Sequence, residues 1–167
     1  RLIWQGEGRD GLLAFDLDTL KRERLFPIPD ANSFDGARGT LFTAEPVGAL
    51  ADGTGLFMYR ELGIDGDDVA LRSAALYTLR WDAQGKMFTE PLAKDLVSAA
   101  AGGDIYGARA DGTIVIIGID GTVRDTGADL DFYGDAWPRL LVSGSHLLHG
   151  GAASIDAAGL TRSLPAS

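Results

Sequence analysis

Three carboxylates fall within seven residues at Asp129, Asp131 and Asp135, in DLDFYGDAW. Hard cations such as Ca²⁺ take several oxygen ligands from one flexible loop, so this trio is the candidate metal set. The spacing differs from an EF-hand, because Tyr133 stands where the fifth-position oxygen belongs. Asp65, Asp67 and Asp68 in GIDGDD form a second acidic group. A plainer reading competes at both places. Asp and Gly are turn formers, and 19 of the 24 acidic residues are Asp, as turn usage requires. Tyr133 and Trp137, beside Pro138, could floor a sugar or peptide site, with packing of the rings in the fold as the competing role. His146 and His149 in SGSHLLHGG are the only histidines of the sequence. Flanking glycines favour a strand there. A spacing of three in a strand sends the pair to opposite faces, so one ion cannot take both without a bulge. His146, Tyr133 and Trp137 are therefore the candidate ligand-binding set.

No catalytic set can be assigned. Residues 143–147, SGSHL, lack the Gly-x-Ser-x-Gly frame of a nucleophile elbow. ADGTG at 51–55 has no Lys for a phosphate loop. The glutamates are too scattered to pair as glycosidase acids. There is no cysteine, which excludes disulfides, thiolate nucleophiles and Cys-ligated metals. No resident cofactor is implied beyond the candidate Ca²⁺.

The 167 residues suffice for one domain with a core. The net charge of −9 argues against a nucleic-acid partner, which needs clustered Lys and Arg. The nearest basic run, KRER at 21–24, is broken by Glu23 and reads as a solvated strand face. No segment approaches 18 continuous apolar residues, so no membrane insertion is expected. Abundant Ala, Gly and Arg with a single Asn, Asn32, fit a GC-rich bacterial genome. An extracytoplasmic setting is expected. A chain that begins at Arg1 is expected to be a processed or partial one.

The elements that position these groups come from a repeat. DIYGARADGTIVIIGIDGTVRDTG, residues 104–127, is three apolar runs cut twice by Asp-Gly. Asp-Gly between apolar runs predicts hairpins closed by type I′ turns. The middle run, TIVIIGI, is apolar at consecutive positions, which predicts a strand covered on both faces. Similar strand-then-Asp markers recur at Asp18, Asp82 and Asp156. An apolar strand precedes each marker strand: 1–5, 55–62, 104–110 and 139–144. Residues 39–47, 95–101 and 130–138 can each supply a further, inner strand. Residues 31–55 and 63–73, heavy in Gly, Asp and Ala, read as loop-like insertions. The best helix candidate, AKDLVSAAA at 93–101, is ended at once by Gly102, Gly103 and Asp104.

Strand-Asp-x-x-Gly at YTLRWDAQGK and ASIDAAGL resembles the repeats of bacterial quinoprotein-like β-propellers. IYGARADGTI resembles the blades of tachylectin-type lectins. Each resemblance covers single blades. The regular tryptophan docking pattern of the first and the regular aromatic loop of the second are both missing, so neither a quinone nor a sugar carries over. The fold expectation is all-β, with about four antiparallel β-propeller-like blades at approximately 1–30, 39–92, 95–127 and 130–165. These form a single repeat domain over 1–167, or part of a larger ring. A β-sandwich is the alternative. Such a fold implies a non-enzymatic binding or assembly module that presents blade loops to a protein or glycan partner, including another chain that completes the fold. The alternative is part of a propeller hydrolase or oxidoreductase with an axial site completed by missing blades.

Overall fold

The computed structural model describes residues 2–5, 12–15, 18–26, 34–35, 38–129, 140–143, 146–149 and 153–156. Among them there are strands and turns and no helix. The first sheet is β1 (Leu2–Gln5), β2 (Leu12–Phe15) and β3 (Arg22–Phe26), in that order. The second is β4 (Phe34–Asp35), β5 (Arg38–Ala49), β6 (Gly55–Asp65), β7 (Asp68–Trp81) and β8 (Met87–Lys94). The third is β9 (Ser98–Gly102), β10 (Asp104–Ala108), β11 (Thr113–Ile117) and β12 (Val123–Asp129). The fourth is β13 (Leu140–Ser143), β14 (His146–His149) and β15 (Ala153–Asp156). Every pairing is antiparallel between neighbours in sequence. No helix long and apolar enough to cross a membrane occurs among the described residues.

The apolar run of β11 is buried on both sides, as its sequence predicts. Ile114 and Ile116 enter one core with Ala100, Tyr106, Leu140 and Leu147. Val115 and Ile117 enter another with Leu56, Met58, Leu76 and Leu96. Alternation along one strand therefore fastens the third sheet to the fourth on one face and to the second on the other. Each such fully buried aliphatic side chain contributes roughly 1.5–3 kcal/mol. β1 and β2 lie beside β5, next to the second sheet.

The alanines at 99–101 have a packing role in a strand rather than a helix. β9 is flanked by β5 on one side and β13 on the other. A Cβ on Gly48 would stand 3.2 Å from the Ala101 Cβ, and one on Gly102 would stand 2.7 Å from the Val142 Cβ. The Leu140 N–H donates to the Ser98 hydroxyl at 3.1 Å. Only small side chains let three strands approach this closely, so tertiary packing overrides the helix propensity of Ala.

Three expectations are corrected. Within the two insertions read as loop-like, 38–49, 63–65 and 68–73 are strand, and the strand offered at 39–47 lies inside β5. β6 is in register with β5 on one side and β7 on the other along its whole length, which satisfies its backbone groups as a 25-residue loop would not. In the last repeat, 139–144 does not directly precede the marker strand; β14 stands between. β13 instead occupies the place beside β9. Finally, the Asp-Gly turns are not type I′. Asp52, Asp111 and Asp120 keep negative φ, while Gly53, Gly112 and Gly121 have φ of 85°, 94° and 83°. The Gly53 N–H donates to Leu50 O and the Leu50 N–H to Thr54 O, and the same two bonds recur at 109–113 and 118–122. This is a type I turn followed by a left-handed glycine bulge. All three carry Asp-Gly-Thr, and each Asp Oδ1 accepts from the Thr N–H two residues on, at 2.9–3.0 Å.

Two measurements follow from this packing and these turns. Gly102→Ala should cost about 1–3 kcal/mol in urea denaturation by overpacking, and adding Val142→Ala should recover part of it. The second concerns acid. Asp52, Asp111 and Asp120 are held below the ordinary 3.8 by the threonine N–H, then by the threonine hydroxyl. A carboxyl depressed on folding stabilises above its unfolded value and loses that contribution as pH falls through it. Melting temperature should therefore drop below about pH 4. The drop should be shallower in the triple Asp→Asn variant, which keeps the turn bond without the charge.

Candidate functional site

The second sheet outgrows its neighbours. β8 pairs with β7 only over Ala75–Trp81. β5, β6 and β7 stay paired beyond that, to Arg38, Asp65 and Asp68. The extra six or so residues per strand form an arm of three long strands about 20 Å long, with the short β4 against β5 at its tip. Its tip is a two-residue loop, Gly66-Asp67, with Gly66 at φ 63° and Asp67 at negative φ, as a type II′ hairpin requires.

The two faces of the arm differ. On one, Phe42 stacks on Tyr59 at 5.7 Å between centroids, and Tyr59 meets Tyr77 edge-on at 6.2 Å. Phe57 stacks on Tyr77 at 5.4 Å. Burial, then Glu61 and Tyr77, push the Tyr59 hydroxyl up to about 12, so it stays a neutral phenol. Nearer the tip, the Arg72 guanidinium lies across Gly63, where a side chain would collide with it. Arg72 donates to the Thr40 hydroxyl at 3.0 Å and lies 3.9 Å from Glu61. Arg38 pairs with Asp65 at 2.8 Å, with both side chains exposed.

On the other face, Arg60 anchors the base. Its Nη1 meets Glu45 at 2.8 Å, and its Nε and Nη2 donate to the Val97 carbonyl at 3.2 and 3.1 Å. The buried guanidinium thus ties β5 and β6 to the link between β8 and β9. That link also sets where the arm becomes free. Asp95 adopts φ 60°, and its N–H donates to Ala74 O at 3.1 Å. Asp tolerates this left-handed geometry better than most residues. The chain turns away there, and among the described residues no strand lies beside β7 over Asp68–Ser73. Val69 is 53% exposed on that edge.

The residues singled out by sequence fall elsewhere. Tyr133, Trp137, Asp131 and Asp135 lie outside the described residues. Asp129 ends β12, exposed and paired with Thr113. His146 and His149 occupy β14, as the flanking glycines predict, with His146 in register with Ser143 and Asp156, and His149 with Leu140 and Ala153. Among the described residues no three His, Asp or Glu side chains stand together to hold an ion. In the acidic group at the arm tip, the Asp65 carboxylate holds Arg38. The arm itself was missed. Its signal was present in Leu41, Leu62 and Leu71, which share one face at the same level of the three strands. No protein-family model, curated protein or solved structure matches this chain.

Removing Glu45 should leave the Arg60 charge buried. Glu45→Leu is expected to cost about 3 kcal/mol in urea denaturation, the low end for a one-sided loss, since the Glu45 side chain retains 27% exposure.

Proposed function

We propose that the chain is a non-enzymatic binding or assembly module of β-propeller type, and that the β5–β7 arm meets its protein partner. The propeller reading is supported by four sheets that follow one another along the chain. It is supported further by the position of β9 between β5 and β13. The binding reading rests on one observation: the edge of β7 over Asp68–Ser73, unpaired among the described residues, with Val69 exposed on it. An open strand edge offers backbone donors and acceptors that another polypeptide can pair with, while alternate side chains supply specificity. This favours a protein partner over a glycan. A rigid sheet core with a projecting element is a common way to present such a surface.

Site-specific photo-crosslinking tests this. A benzophenone side chain at Val69 is expected to give a discrete cross-linked product in cells of the native source, and one at Thr122, in the turn between β11 and β12, is not. No product at Val69, or equal products at both, would remove the arm from the reading.

A further inference from the structure

The β7 edge is complementary to itself. Asp65 and Asp68 flank the two-residue loop, so they form a hydrogen-bonded pair. Pairs alternate along an antiparallel ladder, which makes Ile64–Val69 and Leu62–Leu71 non-hydrogen-bonded pairs. The N–H and C=O groups of Val69 and Leu71 therefore point away from β6, towards the open edge. Residues 68–72 read Asp-Val-Ala-Leu-Arg. Run antiparallel against itself about Ala70, this segment sets Asp68 opposite Arg72, Val69 opposite Leu71, and Ala70 opposite Ala70.

The faces agree as well. Arg72 lies on the face of Thr40 and Gly63, and Asp68 shares that face with Arg38 and Asp65. Val69 and Leu71 belong to the other face, at the levels of Ile64 and Leu62; Val69 is exposed, and Leu71 packs at the margin of the core around Ile114, Ile116 and Leu140. A two-fold axis perpendicular to the sheet keeps each face on its own side, so opposite charges meet and apolar side chains meet. Each contact occurs twice. A slip of one residue would lose both ion pairs and mix the faces.

We propose that β7 pairs with the same edge of a second copy of this chain, joining two arms into one continuous sheet. This rests on the reading of the arm as the contact element. The outward groups of Val69 and Leu71 supply the ladder, and the Asp68–Arg72 pairs fix the register. The bulge at Arg72 and the flanking charges, which usually protect an edge, confine the pairing to this segment and reject strands without the matching charges. The contact is short, so the dimer is weak and depends on concentration.

The absence of cysteine allows a direct test. Across the proposed axis the two Ala70 residues form a non-hydrogen-bonded pair, with Cα atoms about 4.5 Å apart, which a disulfide can span. On mild oxidation, Ala70→Cys should give a disulfide-linked dimer, and Thr122→Cys, on an exposed turn, should stay monomeric. By sedimentation equilibrium, Arg72→Glu should raise the dissociation constant of the dimer about tenfold. Asp68→Arg should do the same, and the double charge exchange should restore the original value. Thermal melts check that the variants fold, and if one does not, the Ala70→Cys result decides. Equal oxidation of both cysteine variants, or a dimer indifferent to the charge reversals, would overturn the inference. A monomer that cross-links to a different protein through Val69 would overturn it too, while leaving the contact arm in place. A dimer with no product at Val69 would remove both.

Discussion

A sheet with two apolar faces must find cover for both, and this requirement organises the molecule. In β11, successive side chains enter different cores, so the third sheet cannot form without a neighbour on each side. The stack is closed tightly where β9 lies between β5 and β13. There the side chains are Gly, Ala and Ser, because strands that approach this closely leave no room for larger ones. Small residues at these positions and large aliphatic ones farther along the strands are two parts of one packing solution.

The polar groups serve that stack in two ways. The Asp-Gly-Thr turns use the carboxylate as a local acceptor for a backbone N–H, so the abundant aspartate acts at the level of single turns. Arg60 acts over a longer range. Its buried guanidinium joins β5 and β6 to the carbonyl of Val97, where the chain passes from the second sheet to the third. One group shapes loops and the other holds sheets together.

The arm follows from an asymmetry between neighbouring strands. β7 has 14 residues and β8 has 8, and Asp95 turns the chain away before β8 could follow β7 to its tip. Among the described residues, the open edge of β7 is thus created by the end of a different strand. Charge, a bulge and a short length keep such an edge from indiscriminate pairing. The same features give it a definite register with a matching strand.

Much of the local structure could be read directly. The meanders β1–β3, β6–β8 and β10–β12 follow from alternation and Asp or Gly at the turns, because both act over a few residues. The double burial of β11 was legible for the same reason: an apolar residue at every position has no other stable use in a strand. The turn type was not, since Asp-Gly fits a type I′ turn and also a type I turn with a glycine bulge. The choice depends on whether the following Thr joins the loop, which is set by the register of the flanking strands. The run of alanines at 99–101 had a helical propensity that contact with β5 and β13 overrode. Residues 63–73 of the arm read as loop because Gly, Asp and Ala are frequent there, although pairing between β6 and β7 makes all but the tip strand. Sequence alone determined the strand-and-turn rhythm and the all-β class, both products of short-range periodicity. Which edge stays open, and which residues face it, was decided only by the tertiary structure, because both depend on where strands far apart in the chain begin and end.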